Sequence, residues 1–512
     1  MRIPSILISV AVCLAIASCS PSPSNVTKTT DAVPMYPDYT DITIPVNIAP
    51  LNFLLRSDAK AVSLSVNGEQ IASARGNELT FSESEWRDLL EKNQDKTLTV
   101  SVAAEYADGW REYRPFTWTV VSDKIDAYLT YRLIEPDYEV FNELVLQERC
   151  VENFDVKNFC DHNVVGNKCM NCHTYAGNDP QTSMFYVRGE GGGAILNSNG
   201  MLQKLNLKRS DWVSGSVYFG FSPSKRYVVF STNKIIPAFH ASAEKRLEVF
   251  DTMSDVYVAD LQTNKFIESP LLADAAELET FPTFSPDGKY IYYCTASAID
   301  SLDALKQTRY SLCRVGFDEQ TGTIGTKVDT VYNARTMGKS VCHPRISPDG
   351  QWLVFTVADY GTFPIWHREA DLMGRRLSPA LPVGRETATK GNGESDSLDD
   401  NVGQGVANGS VVSMDLRRVN SPLSDTYHSW SSNSRWLVFA SKRDDGLYGK
   451  PYFTYVDKKG VCSKPFVLPQ AHPTYYDNCL KSFNAPELGT GPLPFSVNDV
   501  QRLLSAPPTE FR

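Results

Sequence analysis

The chain is poor in basic charge. Fifty Lys and Arg stand against sixty Asp and Glu, a formal net charge of -10. No stretch is basic enough to neutralise a phosphate backbone, which excludes nucleic acid as a partner. Histidine is scarce as well, seven in 512 residues, so few side chains are available to ligate a metal or exchange a proton near neutral pH. No phosphate loop and no dinucleotide fingerprint occurs, which removes nucleotide chemistry built on those turns. Beyond the first twenty residues no segment is apolar enough to cross a bilayer.

What is present has an ordinary globular balance, 42% hydrophobic, with 24 Tyr, 24 Phe, 31 Gly and 30 Pro. Abundant aromatics and turn formers favour strands joined by tight turns. At the N-terminus one basic residue precedes an apolar run from Ile3 to Ala17, too short to span a membrane and suited to a secretory signal. It ends in Ile16-Ala17-Ser18-Cys19, which resembles the bacterial lipobox. That resemblance implies a signal peptide over 1–18, cleavage before Cys19 and lipidation of Cys19. The expected location is the cell envelope, anchored in the outer membrane and facing the periplasm, where thiols are not held reduced and haem c is attached.

Residues 19–40, rich in Ser, Pro and Thr, read as a flexible tether. Over 41–121, three alternating runs around Val62, Val100 and Trp118, with turns at Asn67-Gly68 and Asp108-Gly109, predict an immunoglobulin-like β-sandwich. One helix interrupts it, capped by Ser82 and Glu85. Residues 122–180 read as a helical, cysteine-rich segment, with a helix from Pro136 through Phe141, Leu144, Val145 and Glu148.

From residue 181 to 512 a repeat dominates. "FGFSPSKRYVVFST", "PTFSPDGKYIYYCT", "PRISPDGQWLVFTV" and "HSWSSNSRWLVFAS" each hold a strand, a Ser-Pro-Asp-Gly-like turn and an alternating aromatic strand. The turn serines are Ser222, Ser285, Ser347 and Ser431, and the long last interval contains a polar insertion, 384–409, without core-forming residues. Such units form propeller blades, which bury their faces only against neighbouring blades. The pattern resembles the TolB and WD40-like propeller family. The expected fold class is mainly β: the sandwich, a short haem-binding segment, then a propeller of about five to seven blades. Ring closure would borrow strands from 123–135 or from the C-terminal "FSVNDVQRLL". No Gly-x-Ser-x-Gly is present, which removes the propeller-capped serine peptidases.

Cys169-Met170-Asn171-Cys172-His173 resembles the attachment motif of c-type cytochromes. The resemblance implies one covalent haem c on the thiols of Cys169 and Cys172, with iron on His173. Met184 is the first candidate for the distal iron ligand, His240 and His162 are alternatives, and Arg188 is a candidate propionate contact. A zinc site drawn from Cys150, Cys160, Cys169, Cys172 and His173 stays open, as do redox thiols and a structural disulfide. In the haem reading Cys150 and Cys160 pair as a disulfide beside it. Cys294 and Cys313 fit either a cross-strand disulfide or two buried thiols. His343 and His428 are read as matching positions facing the central channel. The functional expectation is electron transfer or haem-dependent sensing, with the propeller docking a protein redox partner and the membrane held through the lipid. The alternative is a non-redox propeller that binds a protein or glycan.

Overall fold

The computed structural model describes residues 21–136, 143–239, 247–299, 301–377 and 412–512. Cys19, His240 and the insertion 384–409 lie outside the described residues.

The alternating runs of the N-terminal module form the strands Ala61–Val66, Lys96–Tyr106 and Phe116–Val121 of one sheet. Asn67 and Gly68, at φ of 50° and 87°, make the expected two-residue hairpin turn. In the helix Glu83–Lys92, Ser82 Oγ accepts the Glu85 N–H at 3.2 Å and donates to its carboxylate at 2.7 Å. Trp86 and Leu90 of that helix are buried, and the Trp86 indole donates to the Ile48 carbonyl at 2.9 Å. A second sheet joins Met35–Tyr36, Phe53–Leu55 and Glu78–Leu79. The tether expected over 19–40 is therefore partly structural. Val33, Met35 and Tyr39 are buried, and Thr27–Lys28 pairs parallel to Arg111 and Glu112. Apolar side chains at intervals gave this Ser/Pro-rich stretch enough to bury.

The rest of the chain is a β-propeller of six sheets whose innermost strands neighbour one another in a closed ring. In ring order these strands are Met170–Ala176, Ser216–Phe221, Glu277–Phe284, Ser340–Ile346, Asp425–Trp430 and Ser482–Gly489, and they define blades one to six. Blade six is composite. Its inner strand comes from the C-terminal part of the chain, and its second to fourth strands are Tyr128–Ile134, Val145–Cys150 and Val156–Asp161. Closure thus uses the 123–135 segment, whereas "FSVNDVQRLL" contributes the helix Val497–Leu504.

This assignment dissolves the separate helical segment expected over 122–180, since those residues build blade six and the first strands of blade one. Among the described residues, the end of the expected helix is the strand Val145–Cys150. Leu144, Leu146 and Glu148 are all buried, a period of two that competes with the helical spacing and wins through pairing on both sides.

The repeat has a concrete cause. Ser222, Ser285, Ser347 and Ser431 are buried. Each hydroxyl accepts the N–H of the fifth residue on, at 3.2, 3.0, 2.9 and 3.0 Å, and so locks the turn between first and second strands. The two regular copies place Gly288 and Gly350 in the left-handed region, and the degenerate ones place Lys225 and Ser434 there. Blades interlock through aromatic layers such as Phe219, Phe230, Tyr257 and Trp212 between blades one and two. Each buried side chain of that kind is worth roughly 1.5–3 kcal/mol. The N-terminal module shares one core with blades five and six, tied further by Arg56–Asp477 and Lys464–Asp38 at 2.8 Å each.

Candidate functional site

Every inner strand carries the same irregularity. Its pairing slips by a bulge, and one residue there takes a left-handed backbone: Cys172, Tyr218, Phe281, His343, Tyr427 and Ala485, with φ between 49° and 57°. For non-glycine residues this conformation costs roughly 1–2 kcal/mol each, and it re-aims the side chain. Four of the six side chains meet one another around the axis. Ring centroids are 4.2 Å apart for Tyr218 and Phe281, 4.1 Å for Phe281 and His343, and 4.5 Å for His343 and Tyr427. They plug the channel. His343 is buried with neither ring nitrogen hydrogen-bonded, and burial, with the charges of His428 and Arg345, holds it far below the usual imidazole range.

Two residues further along each strand lies a second ring: Thr174, Gly220, Thr283, Arg345, Ser429 and Glu487. It lines a cavity of 490 Å³ at the mouth on the side of the Ser-Pro turns. Glu487 accepts from Thr174 Oγ1 at 2.9 Å and from the Tyr175 N–H at 3.1 Å. Burial raises its pKa while Arg345 opposes the rise. The Arg345 guanidinium forms no hydrogen bond or ion pair among the described residues. The channel mouth therefore presents a cation without a hydrogen-bonded partner among the described residues, beside a shielded carboxylate and over an aromatic floor. Sequence reasoning missed this site. Its signal was a fixed offset: Tyr218, Phe281, His343 and Tyr427 each stand four residues before a repeat serine, and Arg345 two before.

The Cys169–His173 motif is the start of the inner strand of blade one. Cys172 packs between blades one and two with Phe219 and Phe230, and the Arg188 guanidinium lies beside both Cys169 and Cys172. His173 faces the other way. It contacts Phe159 of blade six, with ring centroids 6.4 Å apart, and the adjoining cavity holds 10 Å³. A ligand the size of a cofactor needs roughly 300 Å³ or more. The Cys172 thiol and the His173 imidazole thus address opposite faces of one strand, and the cavity described beside the imidazole is too small for a porphyrin. These residues do not fit haem c in this fold.

The other candidates part company too. Met184 packs between blades one and two with Leu196 and Phe219, and it also borders the 10 Å³ cavity beside His173. His162 stands on the turn after the outermost strand of blade six, and His240 lies outside the described residues. Among the described residues no three His, Cys, Asp or Glu side chains come together as a metal site, so the zinc set of Cys150, Cys160, Cys169, Cys172 and His173 is not assembled. Cys160 pairs across from Leu146, four residues from Cys150, a separation of roughly 13 Å along the strand. That is too far for a disulfide. Cys313 pairs with Tyr293 and Cys294 with Leu312, so the two thiols point to opposite faces and are the two buried thiols of the second reading. His428 is one residue out of step with His343 and points between blades, its Nε2 3.0 Å from the Val354 carbonyl.

No protein-family model matches the chain, and no curated protein matches it. Among solved structures, a hypothetical selenium-binding protein from Sulfolobus tokodaii is similar at 10% identity and a TM-score of 0.40, over 85% of this chain and 94% of that one. Prolyl oligopeptidase B from Galerina marginata is similar at 12% identity and a TM-score of 0.33, over 66% of this chain and 44% of that one. The β-propeller domain of the Trilobed protease from Pyrococcus furiosus is similar at 9% identity and a TM-score of 0.26, over 56% and 68%. These are distant likenesses, and the assignment to the β-propellers rests on the strand order and the closed ring.

Proposed function

We propose that this protein is a non-redox binding propeller of the bacterial envelope, held to the membrane through Cys19 and carrying an immunoglobulin-like module at its N-terminal side. Its cargo is a carboxylate-bearing segment of a partner protein, taken into the channel mouth. The observation that carries this reading is Arg345, whose guanidinium has no hydrogen bond or ion pair among the described residues and stands in a 490 Å³ cup. A planar five-donor fork in a partly desolvated site is suited to a carboxylate. The plug below it makes the axis a floor rather than a conduit.

The test is titration of the full chain with acetyl-trialanine carrying a free carboxylate, and with its C-terminal amide. Saturable binding of the acid, roughly tenfold or more weaker binding of the amide and loss in Arg345→Gln are expected. Equal binding of the two peptides, or an unchanged Arg345→Gln variant, would count against the reading. The anchor has its own check: Cys19→Ala should move the protein from the membrane fraction to the soluble periplasm.

A further inference from the structure

On the face of the propeller opposite the channel mouth, a second cavity of 370 Å³ opens between blades one and two. Arg188, directly after the second strand of blade one, lines it. Its backbone N–H donates to the Cys169 carbonyl at 2.9 Å, which fixes the residue across from Cys169. The Arg188 Nε is buried without a hydrogen-bond partner, and among the described residues no carboxylate pairs with the guanidinium. The ionisable groups that act on it most strongly are the weak acids Cys169, Cys172, Tyr218 and Tyr186. Leaving an arginine partly desolvated and uncompensated is costly, and a bound oxyanion offsets that cost.

The rest of the cleft suits the same chemistry. Lys208 adds a second positive charge at the rim, and Tyr186, Leu207 and Val217 supply an apolar wall. The glycines around it are required by close approach. A Cβ on Gly215 would stand 2.1 Å from the Tyr186 hydroxyl, and one on Gly192 would stand 2.2 Å from the Val187 carbonyl. Glycine at these places lets the 189–193 loop fold tightly and leaves the tyrosine hydroxyl its space.

We propose that this cleft is a second binding site, taking a small organic anion whose carboxylate or phosphoryl group pairs with Arg188 and whose apolar body lies against Tyr186. It is independent of the channel mouth, which lies beyond the aromatic plug.

The experiment titrates the full chain with benzoate, phenyl phosphate and inorganic phosphate, and with neutral benzamide as control, up to roughly 10 mM. Saturable binding of benzoate or phenyl phosphate, with benzamide at least roughly tenfold weaker, is expected. Benzoate against phenyl phosphate identifies the headgroup, and binding of inorganic phosphate alone would contradict an organic ligand. Arg188→Gln should abolish binding, and Arg345→Gln should leave it unchanged, which separates this site from the channel mouth. Should Arg188→Gln fail to fold, the exposed Lys208→Glu serves instead and should weaken binding several-fold. No saturation with any anion, benzamide binding equal to benzoate, or wild-type affinity in both variants overturns the proposal.

Discussion

His173 and His428 are structural equivalents. Each directly follows the left-handed residue of its inner strand, Cys172 and Tyr427. His428 reaches the Val354 carbonyl, and Val354 is the residue paired with Arg345 on the second strand of the preceding blade. His173 faces Thr130, which pairs with Glu487 in the same way. Its ring nitrogens close no hydrogen bond of ordinary geometry. A position occupied by histidine in blade five, with no cysteine pair beside it, accounts for the imidazole of the Cys169–His173 motif as an interblade wedge.

That equivalence has a pH signature. Burial, helped by the Arg132 charge, lowers His173 from 6.5 to about 4. The unfolded imidazole takes up its proton near 6.5 and the folded one only near 4, so the contribution is present above that window and is lost as pH falls through it. The loss is on the order of 3 kcal/mol for one such histidine. Urea unfolding at several pH values between 4 and 7 should show His173→Gln with a shallower acid decline than the parent protein. An identical decline would mean that His173 titrates normally.

Asp251 works in the opposite sense. Burial raises it to about 8, against the hydrogen bond from Asn233 Nδ2 at 2.6 Å. Unfolding therefore releases a proton between about pH 4 and 8, and the stability it confers declines as pH rises. Asp251→Asn keeps an acceptor for Asn233 and should gain on the parent protein by up to roughly 1.4 kcal/mol per pH unit across that range. Unfolding free energies at pH 5 and 8 decide it.

The plug gives a packing test. Phe281 touches both Tyr218 and His343, and Phe281→Ala removes the ring they share and opens a cavity at the centre of the propeller. A loss of roughly 3 to 5 kcal/mol in unfolding free energy is expected. A loss below about 1 kcal/mol would show that the channel centre is not packed as described.

The thiols give a chemical one. Strand register keeps Cys150 from Cys160 and Cys294 from Cys313. Alkylation of the denatured, unreduced protein followed by peptide mass analysis should find all four labelled. A Cys150–Cys160 linked peptide would require a different register in blade six.

How far the sequence could be read depended on where its local pattern was unambiguous. Ser285, Asp287 and Gly288 announce a turn whose every bond is local, so the two regular turns and their two degenerate copies were readable and the propeller with them. The inner strands of blades one and six were not. They end in Ala176-Gly177-Asn178 and Gly489-Thr490 instead of Ser-Pro-Asp-Gly, and blade six is assembled from strands more than three hundred residues apart. Cys172 and His173 drew attention to a five-residue motif at a place where the fold repeats a bulge. A bulge breaks the alternation by which strands are found, so the equivalence to Tyr427-His428 emerges only once the pairing is known.

Expression in the periplasm with haem-maturation machinery, followed by a denaturing gel stained for covalent haem, tests the assignment of Cys169, Cys172 and His173 most directly. A folded protein without a haem band, beside control cytochromes that stain, is the expected result. A haem band at the mass of the chain that disappears in Cys172→Ala would contradict it, and would require the first strand of blade one to leave its sheet.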